Sequence, residues 1–173
     1  MLRKLFARLT ADRPPPPGAP LFAAAVAEAR QRHWFANGGV ADDVDGRFAV
    51  LATVLALVSV RLELGGTAAR SHGAALVERF VDAMDAEHRQ MGVGDPAIGK
   101  TVRRLVSALG NRVELWRDSV AQGEGWPEAA ATSLYRGTPP SDEALDRAQA
   151  ALRGLWQRLQ GSEDEALLDG RIG

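Results

Sequence analysis

The sequence predicts an all-α protein, a single irregular bundle of about six helices. Three observations carry that prediction. Apolar residues recur three or four positions apart over long stretches, and no stretch alternates with the period of a strand. Clusters of glycine and proline separate those stretches. Aromatic residues make up only 6% of the chain, so the core has to be built from Leu, Val and Ala, which suits helices better than a β-sandwich. The 173 residues suffice for one domain.

The chain opens with a basic amphipathic segment. Leu2, Leu5, Phe6 and Leu9 share one side of a short helix, with Arg3, Lys4 and Arg8 around it. Pro14 to Pro17 and Gly18 form a stiff linker, so residues 1–19 are read as an appendage to the domain. The helical domain is expected over 20–161. Pro20 suits a first helical turn, and Phe22, Val26, Ala29 and His33 continue one helix up to Asn37-Gly38-Gly39. Asp42, Asp43 and Asp45 supply the cap and first-turn charge of the next helix, and Arg47 can pair back with them. That helix carries Phe48, Leu51, Leu55, Val58 and Leu62 on one face and Val50, Val54 and Leu57 on others. Being apolar on most sides, it belongs at the centre, and Gly65-Gly66 closes it.

A helix from about Ala68 to Gln90 turns Leu76, Phe80 and Met84 inward, with His88 or Met91 to follow. Gly92-Val93-Gly94 makes a turn in which at least one glycine takes positive φ, and Asp95-Pro96 starts the next helix. Ile98, Val102, Leu105, Leu109, Val113, Trp116 and Val120 then trace one stripe. Pro127 opens a short helix to about Arg136, and Ser141 caps a last one with Leu145, Ala148, Leu152, Leu155 and Leu159 inward. Residues 162–173 are expected to form an acidic, frayed tail.

Composition excludes several chemistries. Without cysteine there is no disulfide, thiolate zinc site or iron–sulfur cluster. The net charge of −1 gives no global attraction to nucleic acid, so DNA is not an expected partner and any charged partner has to meet a local patch. The basic start lacks the continuous apolar run of a signal peptide. The most apolar stretch, 48–60, falls short of the roughly 20 residues that cross a bilayer. The chain is therefore expected in the cytoplasm, with a peripheral contact at the inner face of the cytoplasmic membrane through Leu2, Arg3, Lys4, Leu5, Phe6, Arg8 and Leu9.

Several local motifs have ordinary structural explanations. Gly92 to Pro96 lacks the strand, lysine and hydroxyl order of a phosphate loop, and an interhelical turn explains it better. Asp82, Asp85 and His88 share a helix face, but di-metal bundles need a second such set, and the chain has none. No histidine has partners at the spacing of a triad, so no enzyme and no cofactor are expected. Lys100, Arg103 and Arg104 occupy one sector opposite the Ile98–Val120 stripe, in the helix half where the dipole does not favour cations. They are either a solvated face or a patch for an acidic segment, ribosomal RNA or anionic lipid. Trp34 and Phe35, before a glycine loop, are either core or an exposed anchor.

Two blocks carry a family resemblance. His33-Trp34-Phe35, Gly38-Gly39-Val40, Asp42 and Asp45-Gly46-Arg47-Phe48 form the first. Phe80-Val81-Asp82-Ala83-Met84-Asp85, Arg89 to Asp95 and Gly99-Lys100 form the second, and Leu134-Tyr135-Arg136-Gly137 is a weaker third. Together, over roughly residues 21–137, they resemble the ubiquinol–cytochrome c chaperone family. Ala41 and Gln90 stand where the family pattern has proline and glutamate. The resemblance implies a non-enzymatic assembly factor for the ubiquinol–cytochrome c reductase complex, complex III, that binds newly made cytochrome b. It also implies the ribosome or a second assembly factor as further partners. The candidate partner-binding residues are Trp34, Phe35, Asp42, Asp45, Arg47, Gly92, Gly94, Asp95, Lys100, Arg103 and Arg104. The alternative is a helical membrane-surface adaptor or ribosome-associated protein with another client.

Overall fold

A computed structural model describes residues 15–90 and 95–173, and within them every side chain except those of His88 and residues 95–98. The expected turn at Gly92 and Gly94 and the amphipathic segment at 1–9 lie outside the described residues. Eight helical segments follow one another with no strand among the described residues. They are α1 (Ala19–Ala29), α2 (His33–Ala36), α3 (Val44–Leu64), α4 (Thr67–Gln90), α5 (Asp95–Gln122), α6 (Trp126–Tyr135), α7 (Asp142–Gly161) and α8 (Asp164–Leu168). Since α2 and α8 are single turns of four and five residues, six longer helices make the body.

The centre is α3. From Ala49 to Leu62 nearly every side chain is buried, and α1, α4, α5, α6 and α7 all pack on it. Thr53, the one hydroxyl on its buried surface, donates to Ala49 O at 2.7 Å, so no polar group is left unsatisfied there. The capping residues act as the sequence indicates. Asp43 Oδ1 accepts from Gly46 N at 2.8 Å, and Ser141 Oγ accepts from Ala144 N at 3.1 Å. Leu76, Phe80 and Met84 face inward from α4, and the α5 stripe buries Leu109 and Trp116 fully while Leu105, Val113 and Val120 are partly covered. Trp116 meets Trp126 of α6 edge-on, with centroids 5.1 Å apart, and its Nε1 donates to Ser133 Oγ at 3.0 Å.

Two expectations are corrected. The single helix expected from Pro20 past His33 is broken between Ala29 and His33. Glu28 O accepts from Gln31 N and from the indole Nε1 of Trp34, so it does not receive the i+4 amide that would carry the helix on. Trp34 itself turns into the core at 0% exposure. The tail expected to fray is instead docked. Leu167 of α8 is buried, and Asp164 accepts from Gly66 N at 2.7 Å while pairing with Arg61 at 2.9 Å. Arg61 also donates to Leu159 O and Ser162 O, so one mostly buried guanidinium on α3 clamps the end of α7 and the start of α8.

The Gly66 amide and then Arg61 hold the Asp164 carboxyl below its ordinary value of 3.8. A depressed folded value means that the contribution is complete above the unfolded value and is lost as pH falls through the folded one. Asp164→Asn is therefore expected to melt below wild type at neutral pH. The gap should close as thermal scans are taken to acidic pH, below about 4.

Candidate functional site

The first and third blocks of the sequence meet in space at the entrance of α3. Tyr135, at the end of α6, donates its hydroxyl to Gly38 O in the loop before α3. Burial pushes the Tyr135 phenol up to about 12, so it stays a neutral donor throughout the physiological range. Arg136 follows it and pairs with Asp45 at 2.8 Å, while Arg47 pairs with Asp42 at 2.7 Å, one turn away. The Asp42 contact holds the Arg47 guanidinium above its ordinary value. In the chain, Val44 falls between Asp42 and Asp45, the acidic partners of the two pairs, and is 68% exposed. The site is thus an exposed apolar side chain beside two surface ion pairs, on the first turn of α3 and the loop before it, which Tyr135 ties down through Gly38 O. Such exposed pairs contribute little to folding.

The loop is shaped by its glycines. A Cβ on Gly46 would stand 1.9 Å from Ala41 O, so only glycine lets the loop fold back over the first turn of α3. Arg136 has φ 54°, a left-handed conformation that glycine adopts freely and arginine does not. It is the one such non-glycine residue among the described residues. The strain is localised on the residue that supplies the Asp45 contact.

Beneath the corner lies Arg112 of α5. It donates to Ala108 O and Ser133 O, and its guanidinium sits 5.8 Å from the Phe48 ring. Burial first, and the nearby Arg136 second, lower its proton affinity. Toward the N-terminus of the same helix, Lys100, Arg103 and Arg104 are exposed and form no ion pair among the described residues. No acidic residue occurs in α5 between Asp95 and Glu114. The result is a single-sign face.

Of the candidate residues, Asp42, Asp45 and Arg47 come together at one exposed corner. Trp34 does not join them: it is buried, with its indole nitrogen bonded inside the fold, and so cannot serve as an exposed anchor. Phe35 is half-buried against the core. Lys100, Arg103 and Arg104 form the separate α5 face. Gly92 and Gly94 lie outside the described residues, and Asp95 begins α5. Tyr135, Arg136 and Arg112 are absent from the sequence-derived candidates. The string Leu134 to Gly137 signalled the first two, whereas nothing local marks Arg112. Among the described residues no group of three or more His, Cys, Asp or Glu side chains could hold a metal ion, and no helix is long and apolar enough to cross a membrane.

A protein-family model described as "Ubiquinol-cytochrome C chaperone" matches residues 36–172. The match starts at Ala36, the last residue of α2, and runs on through α7 and α8, further than the sequence blocks reach. The crystal structure of the Cbp3 homolog from Brucella abortus superposes with a TM-score of 0.75 at 22% identity, covering 100% of this chain and 96% of that one. At that identity the likeness is one of fold. No curated protein sequence matches the chain.

Gly46→Ala should lower stability by about 1–3 kcal/mol in denaturant titration, because the methyl meets the Ala41 backbone. Tyr135→Phe, which leaves Gly38 O without its donor, should cost about 1 kcal/mol. Arg136→Gly should melt near wild type, since relief of the left-handed strain offsets loss of an exposed pair.

Proposed function

Because the chain belongs to the ubiquinol–cytochrome c chaperone family, a family of complex III assembly chaperones, we propose that its client is newly made cytochrome b. The observation that carries this reading is the family match itself, which spans the described fold from the loop before α3 to the docked α8. The chaperone acts stoichiometrically: it binds an assembly intermediate, covers surface that would otherwise aggregate, and releases it on incorporation. Binding free energy alone drives such a cycle, so the role asks for no cofactor and no turnover.

Two surfaces suit client recognition. The Val44 corner presents an apolar side chain beside two ion pairs, with Arg136 held in strain. The α5 face presents Lys100, Arg103 and Arg104 without acidic neighbours on the helix, which suits an acidic segment of the client or of a second assembly factor. A cytoplasmic chaperone working at the inner face of the membrane would meet such segments as the client is inserted.

Deleting the gene is expected to lower assembled complex III and its cytochrome b absorbance while cytochrome oxidase stays near normal. Unchanged complex III in the deletion strain would turn the reading toward an adaptor with another client. Replacing Lys100, Arg103 and Arg104 by glutamate should weaken client co-purification without changing the helical circular dichroism. Association of the wild type should likewise fall as salt rises, since exposed charges are screened over about 8–10 Å. Normal, salt-insensitive association by the triple variant would remove the basic face from the site.

A further inference from the structure

Arg112 of α5 is a partly buried cation without a counter-ion. The carboxylates at the start of α3 are each engaged: Asp42 with Arg47, Asp43 with the Gly46 amide, and Asp45 with Arg136. Arg112, by contrast, donates to two neutral carbonyls, Ala108 O at 3.0 Å and Ser133 O at 2.9 Å. It forms no ion pair among the described residues, and its Nε is buried without an acceptor. A guanidinium carries five N–H donors, so these two bonds leave most of its capacity unused. Ser133 O does need a donor, because Gly137 N turns back to Ala131 O at the end of α6. A neutral side chain meets that need without desolvating a charge, so the helix end alone does not call for arginine.

A second cation stands beside the first. Arg136 follows Ser133 by three residues and lies close enough to lower the proton affinity of Arg112. It gives one bond to Asp45, is mostly in water, and keeps its left-handed φ of 54° where glycine would be unstrained. In the resting fold the two guanidiniums repel one another, and an anion between them reverses that sign. Next to them runs an apolar strip. Val44 and Phe48 are one helical turn apart on the same face of α3. Val44 is largely exposed and Phe48 partly so, and the Arg112 guanidinium sits over the Phe48 ring.

We propose that this corner of α3, α5 and α6 receives a segment of the client in which a carboxylate stands beside a bulky apolar side chain. The carboxylate enters between Arg112 and Arg136 and takes donors that the fold leaves unused. The apolar side chain covers Val44 and Phe48. With the carboxylates at the start of α3 committed, the unmatched group at the corner is positive, so the complementary charge is negative. Forked guanidiniums suit a planar carboxylate, and a phosphate alone would answer the charge while leaving Val44 in water. The assignment rests on the client reading given above and adds to it which surface and which client chemistry meet.

The test is capture of cytochrome b by the tagged full-length chain from cells assembling complex III, with a thermal melt for every variant. Val44→Asp changes an exposed residue in the first turn of α3, so the fold should hold while capture falls about tenfold or more. Arg112→Gln should lower capture to a similar extent, and Arg136→Gly should lower it with a melt near that of the wild type. Benzoylphenylalanine in place of Val44 should crosslink to a cytochrome b peptide containing Asp or Glu. The same probe in place of exposed Gln157 on α7 should not. If the wild type captures cytochrome b and all three variants capture as much, this assignment is overturned and the client reading stands. A wild type that captures none removes the client reading and this assignment with it. Crosslinks from position 44 to lipid, or to a second copy of the chain, also overturn it.

Discussion

The fold is organised by the need to cover α3. A helix with Val, Leu and Ala on nearly every side cannot rest against one neighbour, since each uncovered face would leave apolar area in water at about 25 cal/mol per Å². Five other helices pack on it, and each has a partner face: the Leu76–Phe80–Met84 side of α4, the Leu109–Trp116 side of α5, the Leu152–Leu155–Leu159 side of α7. Charge enters this centre at its ends alone. Arg61 fastens the last helical turns to one end of α3, and Asp43 and Asp45 begin the other. The smaller features follow from those two fixed ends, including the docked α8 and the loop over Gly46.

The sequence blocks that carry the family resemblance turn out to be largely architectural. Gly46 is needed for a backbone crossing, Phe48 contacts Phe80 with centroids 6.2 Å apart, and Phe80 and Met84 are core. The Tyr135 hydroxyl ties the third block to Gly38 in the first. A motif of this kind identifies the scaffold more than the chemistry. At the surface the first and third blocks present the Asp42–Arg47 and Asp45–Arg136 pairs, with Arg136 strained, and the second block presents Asp82, Arg89 and Lys100.

Much of this was legible in the order of the residues because it depends on neighbours in the chain. The central position of α3 follows from its all-round apolarity, the caps at Asp43 and Ser141 from single residues, and the inward faces of α4, α5 and α7 from helical spacing. What escaped depends on distant partners. The break before His33 needs the Trp34 indole to take the Glu28 carbonyl, which no propensity encodes. The acidic tail reads as frayed because its anchors, Arg61 and Gly66, lie about a hundred positions earlier. The exposed corner was half visible. Asp42, Asp45 and Arg47 are consecutive enough to group, whereas Arg136 joins them across 91 positions and Arg112 reaches beneath from a helix whose own pattern explains it as one more basic residue.

The scarcity of exposed apolar surface constrains how such a chaperone can hold a membrane-protein intermediate. Among the described residues, Val44 and Leu64 are the large apolar side chains that stand mostly in water, and they mark opposite ends of α3. Two side chains contribute about 3–6 kcal/mol at most when fully covered, well short of the −8 kcal/mol of a micromolar complex once lost motion is counted. Surface charges add specificity and association rate more than affinity. A client held through apolar contact therefore needs apolar surface beyond these two side chains.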